Sequence, residues 1–104
     1  MEIEKGDIVR AQNGRDKGKA LFVLAVEGAY LILIDGKSRK IEHPKRKKEK
    51  HCMFQTRTGY RVSEKIRTGE RVLNSEVRRA LAAFTAGNAE KGAEDEGGLE
   101  IGER

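Results

Sequence analysis

Tryptophan is absent from this 104-residue sequence, cysteine and proline occur once each, and aromatics are confined to Phe22, Tyr30, Phe54, Tyr60 and Phe84. Each scarcity excludes something. The lone Cys52 cannot form an internal disulfide and gives no sign of secretion. No apolar run approaches the roughly 18 residues of a membrane span, and the charged opening MEIEKGD has no apolar centre for a signal peptide. A soluble, cytoplasmic chain is expected. With so few rings, an exposed stacking platform of the single-strand type is not expected. Phe22 and Phe84 read as core, and Tyr60, near Arg57 and Arg61, is the one candidate for stacking on a base.

Catalytic and metal-binding signatures are missing too. His43, His51 and Cys52 lack a fourth ligand, which makes a poor zinc site, so neither metal nor cofactor is expected. There is no paired-carboxylate site, nucleophile elbow or phosphate-binding loop ending in G-K-[ST]. His51 and Cys52 are adjacent, so in a strand they point to opposite faces and no base activates the thiol. The expectation is a protein that is not an enzyme.

What the chain has is positive charge, unevenly placed. Residues 1–85 carry 20 Lys and Arg against 11 Asp and Glu, whereas residues 86–104 carry 2 against 6. A basic body invites a polyanion, because clustered cations release condensed counterions on meeting phosphates. The length suits one domain with an extension.

Two apolar runs, 7–11 and 20–26, flank the polar segment 12–19, a pattern of strand, tight basic loop and strand. Asn13-Gly14 is a strong turn pair, and Gly14 and Gly18 let the loop turn sharply and bring backbone amides to a phosphate. The second strand, 19–27, is apolar on both faces, so it belongs to a closed or strongly coiled sheet, or to one covered by another element. Residues 27–29 turn into a third strand at 30–34, and Asp35-Gly36 reads as a hairpin into a fourth at 37–42, ended by Pro44. A fifth strand is expected at 51–54. Five short strands suggest a small barrel over residues 1–55, since an open sheet of that size leaves vulnerable edges. Residues 56–85 form a helical extension: a turn or two at 63–66, then a helix capped by Asn74 whose stripe Val77, Leu81 and Phe84 packs on the barrel. Residues 86–104 are expected to be a disordered acidic tail.

Two basic constellations stand out. The loop contributes Asn13, Gly14, Arg15, Lys17, Gly18 and Lys19, with Asp16 as a local turn acceptor. Residues 37–50 contribute Lys37, Arg39, Lys40, Lys45, Arg46, Lys47, Lys48 and Lys50, opposed only by Glu42 and Glu49. A solvated glycine turn, a localisation-type run or adhesion to anionic lipid are the plainer readings. If both segments grip one sugar-phosphate chain, they must lie side by side in space.

The stretch from Gly6 to Val26 resembles the KOW motif of ribosomal proteins and transcription elongation factors, at Gly6, Asp7, Val9, Gly14, Asp16, Lys17, Gly18, Lys19 and Val23. Leu21 stands where many such sequences have a further glycine. Together with LILIDG at 31–36, this variation looks more like the KOW proteins akin to the L14e-type large-subunit ribosomal proteins. The resemblance implies an SH3-like barrel with a C-terminal helix and a non-catalytic, ribosome-associated role. It also implies that Arg15, Lys17 and Lys19 touch the phosphates of RNA, ribosomal RNA above all, with ribosomal proteins as possible neighbours and a monomer when free. The family also holds protein-interaction modules, which is the alternative expectation.

Overall fold

A strand that is apolar on both faces needs cover on both. A computed structural model describes residues 2–87 of the chain. It holds five strands, β1 (Ile8–Ala11), β2 (Ala20–Glu27), β3 (Tyr30–Ile34), β4 (Lys45–Lys48) and β5 (Cys52–Thr56). Two helices follow, α1 (Arg61–Thr68) and α2 (Asn74–Thr85). All strand pairs are antiparallel, in the order β4-β3-β2-β1-β5. Central β2 turns Leu21 and Val23 toward a core shared with Val9, Ala11, Leu31, Leu33 and Cys52. Its other face gives Phe22 and Leu24 to a second core with Ile8 and Ile34, closed by Val62, Ile66, Val77 and Leu81 of the helices. Each fully buried large side chain contributes about 1.5–3 kcal/mol.

The expected barrel does not close. β4 and β5 are the two edges of the sheet, joined by the 3-10 turn Glu49–His51 rather than by a ladder. The edges are managed otherwise. β4 consists wholly of cations, which repel a foreign strand. Helices, and not sheet closure, bury the second face of β2. Irregularities at Val23/Ala25 and Ile8/Val9 add local twist.

The fourth strand also lies elsewhere than expected. Residues 37–42 are loop, because the Asp35 carboxylate accepts hydrogen bonds from the Lys37 and Arg39 amides, both 2.8 Å, and folds the chain back. Ile41 then joins the helix-side core. Pro44 precedes the strand instead of ending it, and Leu33↔Lys45 through Tyr30↔Lys48 set the register.

The expected short helical turn at 63–66 is the eight-residue α1. It stops at Gly69, whose φ of 80° lets its own N–H and that of Glu70 return to the carbonyls of Ile66 and Lys65. α2 starts after Leu73, whose N–H is taken by the Glu76 carboxylate at 3.0 Å. Asn74 is therefore not the cap. Its side chain accepts the Ile41 amide and donates to Glu42, tying the 37–42 loop to the helix. The stripe of Val77 and Leu81 is buried, with Phe84 packed at its margin, as expected. Of the tail expected at 86–104, residues 88–104 lie outside the described residues.

Candidate nucleic-acid interface

The loop between β1 and β2 is held by its own backbone. Gly18 N–H donates to Ala11 O (2.8 Å), Lys17 N–H to Gly14 O (3.2 Å) and Lys19 N–H to Asp16 O (2.9 Å), with Gly14 and Gly18 at φ of 79° and 84°. These bonds correct one expectation. The amides of residues 17–19 close the turn and are not free to cradle a phosphate. The glycines shape the loop so that Arg15 and Lys17 stand exposed at its tip.

Asp16 accepts locally from Lys19, as expected, but it also does more. It is only 4 % exposed and clasps the neighbouring loop: Arg39 Nε and Nη2 donate to its Oδ2 at 3.0 and 2.8 Å, and Lys19 Nζ to its Oδ1 at 3.2 Å. Burial pushes the Asp16 carboxyl up, but the hydrogen bonds and charges of Arg39 and Lys19 outweigh it and hold the group below the usual carboxylate range. Asp35 is lowered likewise, its burial outweighed by the amides of Lys37 and Arg39 and by Lys19 and Ser38. Lys19 also donates to Ser38 Oγ at 2.9 Å. Two expected phosphate ligands, Lys19 and Arg39, thus join the two loops through a pair of carboxylates.

The third segment meets the same loop through Lys47, whose Nζ donates to Asn13 O at 3.1 Å. A side chain at Gly14 would meet that Nζ at 3.3 Å. The Asn13 amide and His51 Nδ1 are 3.0 Å apart, and Gln12 N–H donates to His51 O. The remaining cations of β4 are divided by the pleat. Lys45 and Lys47 share a face with Leu33 and Leu31, whereas Arg46 and Lys48 lie on the face of Ile32 and Tyr30. Arg46 stacks on the Tyr30 ring, 3.7 Å from its centroid, and pairs with Glu27 at 3.8 Å. The loop therefore gathers Lys47 and the 35–39 turn, but Arg46 and Lys48 point elsewhere. Lys37, Lys40, Lys48 and Lys50 are exposed, and none has a side-chain hydrogen bond or ion pair to another described residue.

Two arginines join this surface that sequence reasoning did not single out as ligands. Arg10 donates to Gly18 O (2.7 Å) and Gln55 Oε1 (3.3 Å), with its guanidinium over Phe84, 5.8 Å from the ring centroid. Arg78 donates to Gly36 O at 2.7 Å. The one signal for Arg10 was a cation inside an otherwise apolar strand. For Arg78, only helix packing could reveal its neighbour.

Tyr60 is buried in the helix-side core at 4 % exposure and cannot stack on a base. Its place in the sequence between arginines says nothing of its facing, which the entry into α1 sets. Cys52 is buried, burial pushes its thiol up, and it donates to Lys48 O, so it is a poor nucleophile. Among the described residues no three His, Cys, Asp or Glu side chains gather as a metal site, and no helix is long and apolar enough to cross a membrane. No family model matches this chain, and no curated protein matches its sequence.

Proposed function

We propose that this protein is a non-catalytic RNA-binding module that grips the phosphate backbone of a structured RNA, as a KOW protein of SH3-like type does. What carries the reading is the meeting of three basic segments: Lys47 reaches the Asn13 carbonyl while Asp16 holds Arg39 and Lys19. Arg15 and Lys17, in the loop that Lys47 reaches, and Lys37, in the turn tied to that loop, are left exposed as phosphate ligands. Concentrating like charge this way is costly without an anion to relieve it, and backbone contacts position a protein on nucleic acid without reading bases. The resemblance over Gly6–Val26 favours ribosomal RNA as target, in the cytoplasm, with ribosomal proteins as neighbours.

The test is the salt dependence of binding to an RNA hairpin. About five neutralised phosphates give a log-log slope near −4.5 on duplex, and Arg15→Glu/Lys17→Glu reduces both affinity and slope. An affinity unchanged between about 50 and 200 mM salt overturns the reading in favour of a protein-interaction module.

A further inference from the structure

Beside the basic loop runs a groove of about 670 Å³, between residues 18–20, the 35–37 turn and the second half of α2. That is within the range of ligand-sized clefts, about 300–1,000 Å³. Arg10, Lys19, Lys37 and Arg78 line it, and Leu81 and Ala82 supply an apolar floor. The one acidic residue in its wall, Asp35, already accepts the Lys37 and Arg39 amides and Ser38 Oγ. The groove is therefore a cationic rim around an apolar surface.

We propose that the groove receives an unpaired nucleotide of the bound RNA, which extends the phosphate-gripping surface onto α2; the inference rests on the RNA-binding reading above. The polarity of the site sets the orientation. α2 presents its negative end at Ala86, so the phosphate lies at the opposite end, beside Lys37 and Arg78, and the base lies over Leu81 and Ala82. Arg10 adds a fixed planar cation, pinned by Gly18 O and Gln55 Oε1 above Phe84, of the kind on which unstacked RNA bases lie. A continuous duplex has no free base face to offer this floor, but a bulge does. Arg10 and Arg78 each tie a basic loop to the body, so the groove and the loop surface form one footprint.

The experiment uses the full chain and two RNA hairpins that differ only by a single-nucleotide bulge, compared by fluorescence anisotropy. The bulged RNA binds on the order of tenfold tighter, as one stacked base warrants. Ala82→Trp, an exposed helix position, fills the groove, abolishes that preference and leaves affinity for the unbulged hairpin unchanged. Thr85→Trp, at a second exposed α2 position that lines the groove, does the same and guards against a folding defect in the first variant. Arg15→Glu/Lys17→Glu weakens both RNAs together. Wild type that binds both hairpins equally, or a preference that survives both tryptophans, overturns the groove but leaves the phosphate grip standing. Failure to bind either hairpin overturns both. Equal binding of the hairpins together with uptake of a labelled oligo-glutamate peptide that Ala82→Trp refuses assigns the groove to an acidic protein partner instead.

Discussion

Removing the Asp16 carboxylate tests whether the basic loops are held by a structural clasp. Asp16→Ala deletes two hydrogen bonds from Arg39 and one from Lys19. Bonds to a charged group are worth about 1.5–3 kcal/mol each when buried. Arg39 keeps 24 % of its side chain exposed, so water recovers part of that loss. Lys19 is 45 % exposed, and its pairing is worth no more than about 1 kcal/mol. The net expectation is a loss of about 2–3 kcal/mol, or roughly 10–20 °C in Tm for a domain of this size. Urea denaturation of Asp16→Asn, Arg39→Ala and the double variant isolates the pair, with an expected coupling of about 1–2 kcal/mol. The pH dependence has a definite sign. Because Asp16 titrates below its ordinary 3.8 in the fold, its contribution is complete above that value and is lost as the pH falls below it. Asp35 acts in the same direction. A coupling under about 0.5 kcal/mol, the range of exposed surface pairs, refutes the clasp. So does an acid transition below pH 3.8 that Asp16→Asn leaves unaltered.

Two further outcomes follow from the packing and one from the charge of the C-terminal residues. Gly36→Ala costs well over the roughly 1–2 kcal/mol of left-handed strain alone, because its Cβ meets the backbone of Asn74 and Arg78. Gly28→Ala, also at positive φ but open to solvent, costs only the strain, and equal denaturation midpoints for the two variants would contradict this packing. Cys52 resists alkylation in the native protein at neutral pH and reacts only on unfolding, as a thiol-reactive dye reports; labelling at the rate of a free thiol refutes its burial. Deleting residues 88–104, which hold six acidic and two basic residues, tightens nonspecific RNA binding at low salt, and the gain vanishes at high salt. Unchanged affinity at low salt shows that the segment's charge does not oppose RNA.

The sequence alone determined the parts that depend on near neighbours. Glycine and asparagine punctuation marked the β1–β2 loop and the Gly28 turn, and apolar runs between the turns marked β1 to β3. The 3.6-residue stripe of Val77, Leu81 and Phe84 announced α2 and its buried face. Two-sided apolarity announced that β2 is covered on both sides. Each of these is a local pattern, and local patterns survive folding. Tertiary structure decided what is paired across distance. Nothing near Lys45–Lys48 favours a strand, yet β3 offers it an open edge. Nothing near residues 37–42 forbids one, yet Asp35 and Asn74 hold them as a loop. Likewise, Arg39 is far along the chain from Asp16 and Lys19, and the clasp between them exists only because the start of β2 lies beside the end of β3. The pleat then sorted the cations of β4 onto two faces, a division that counting charges along a chain cannot reveal, since charge has no facing until a strand has a partner.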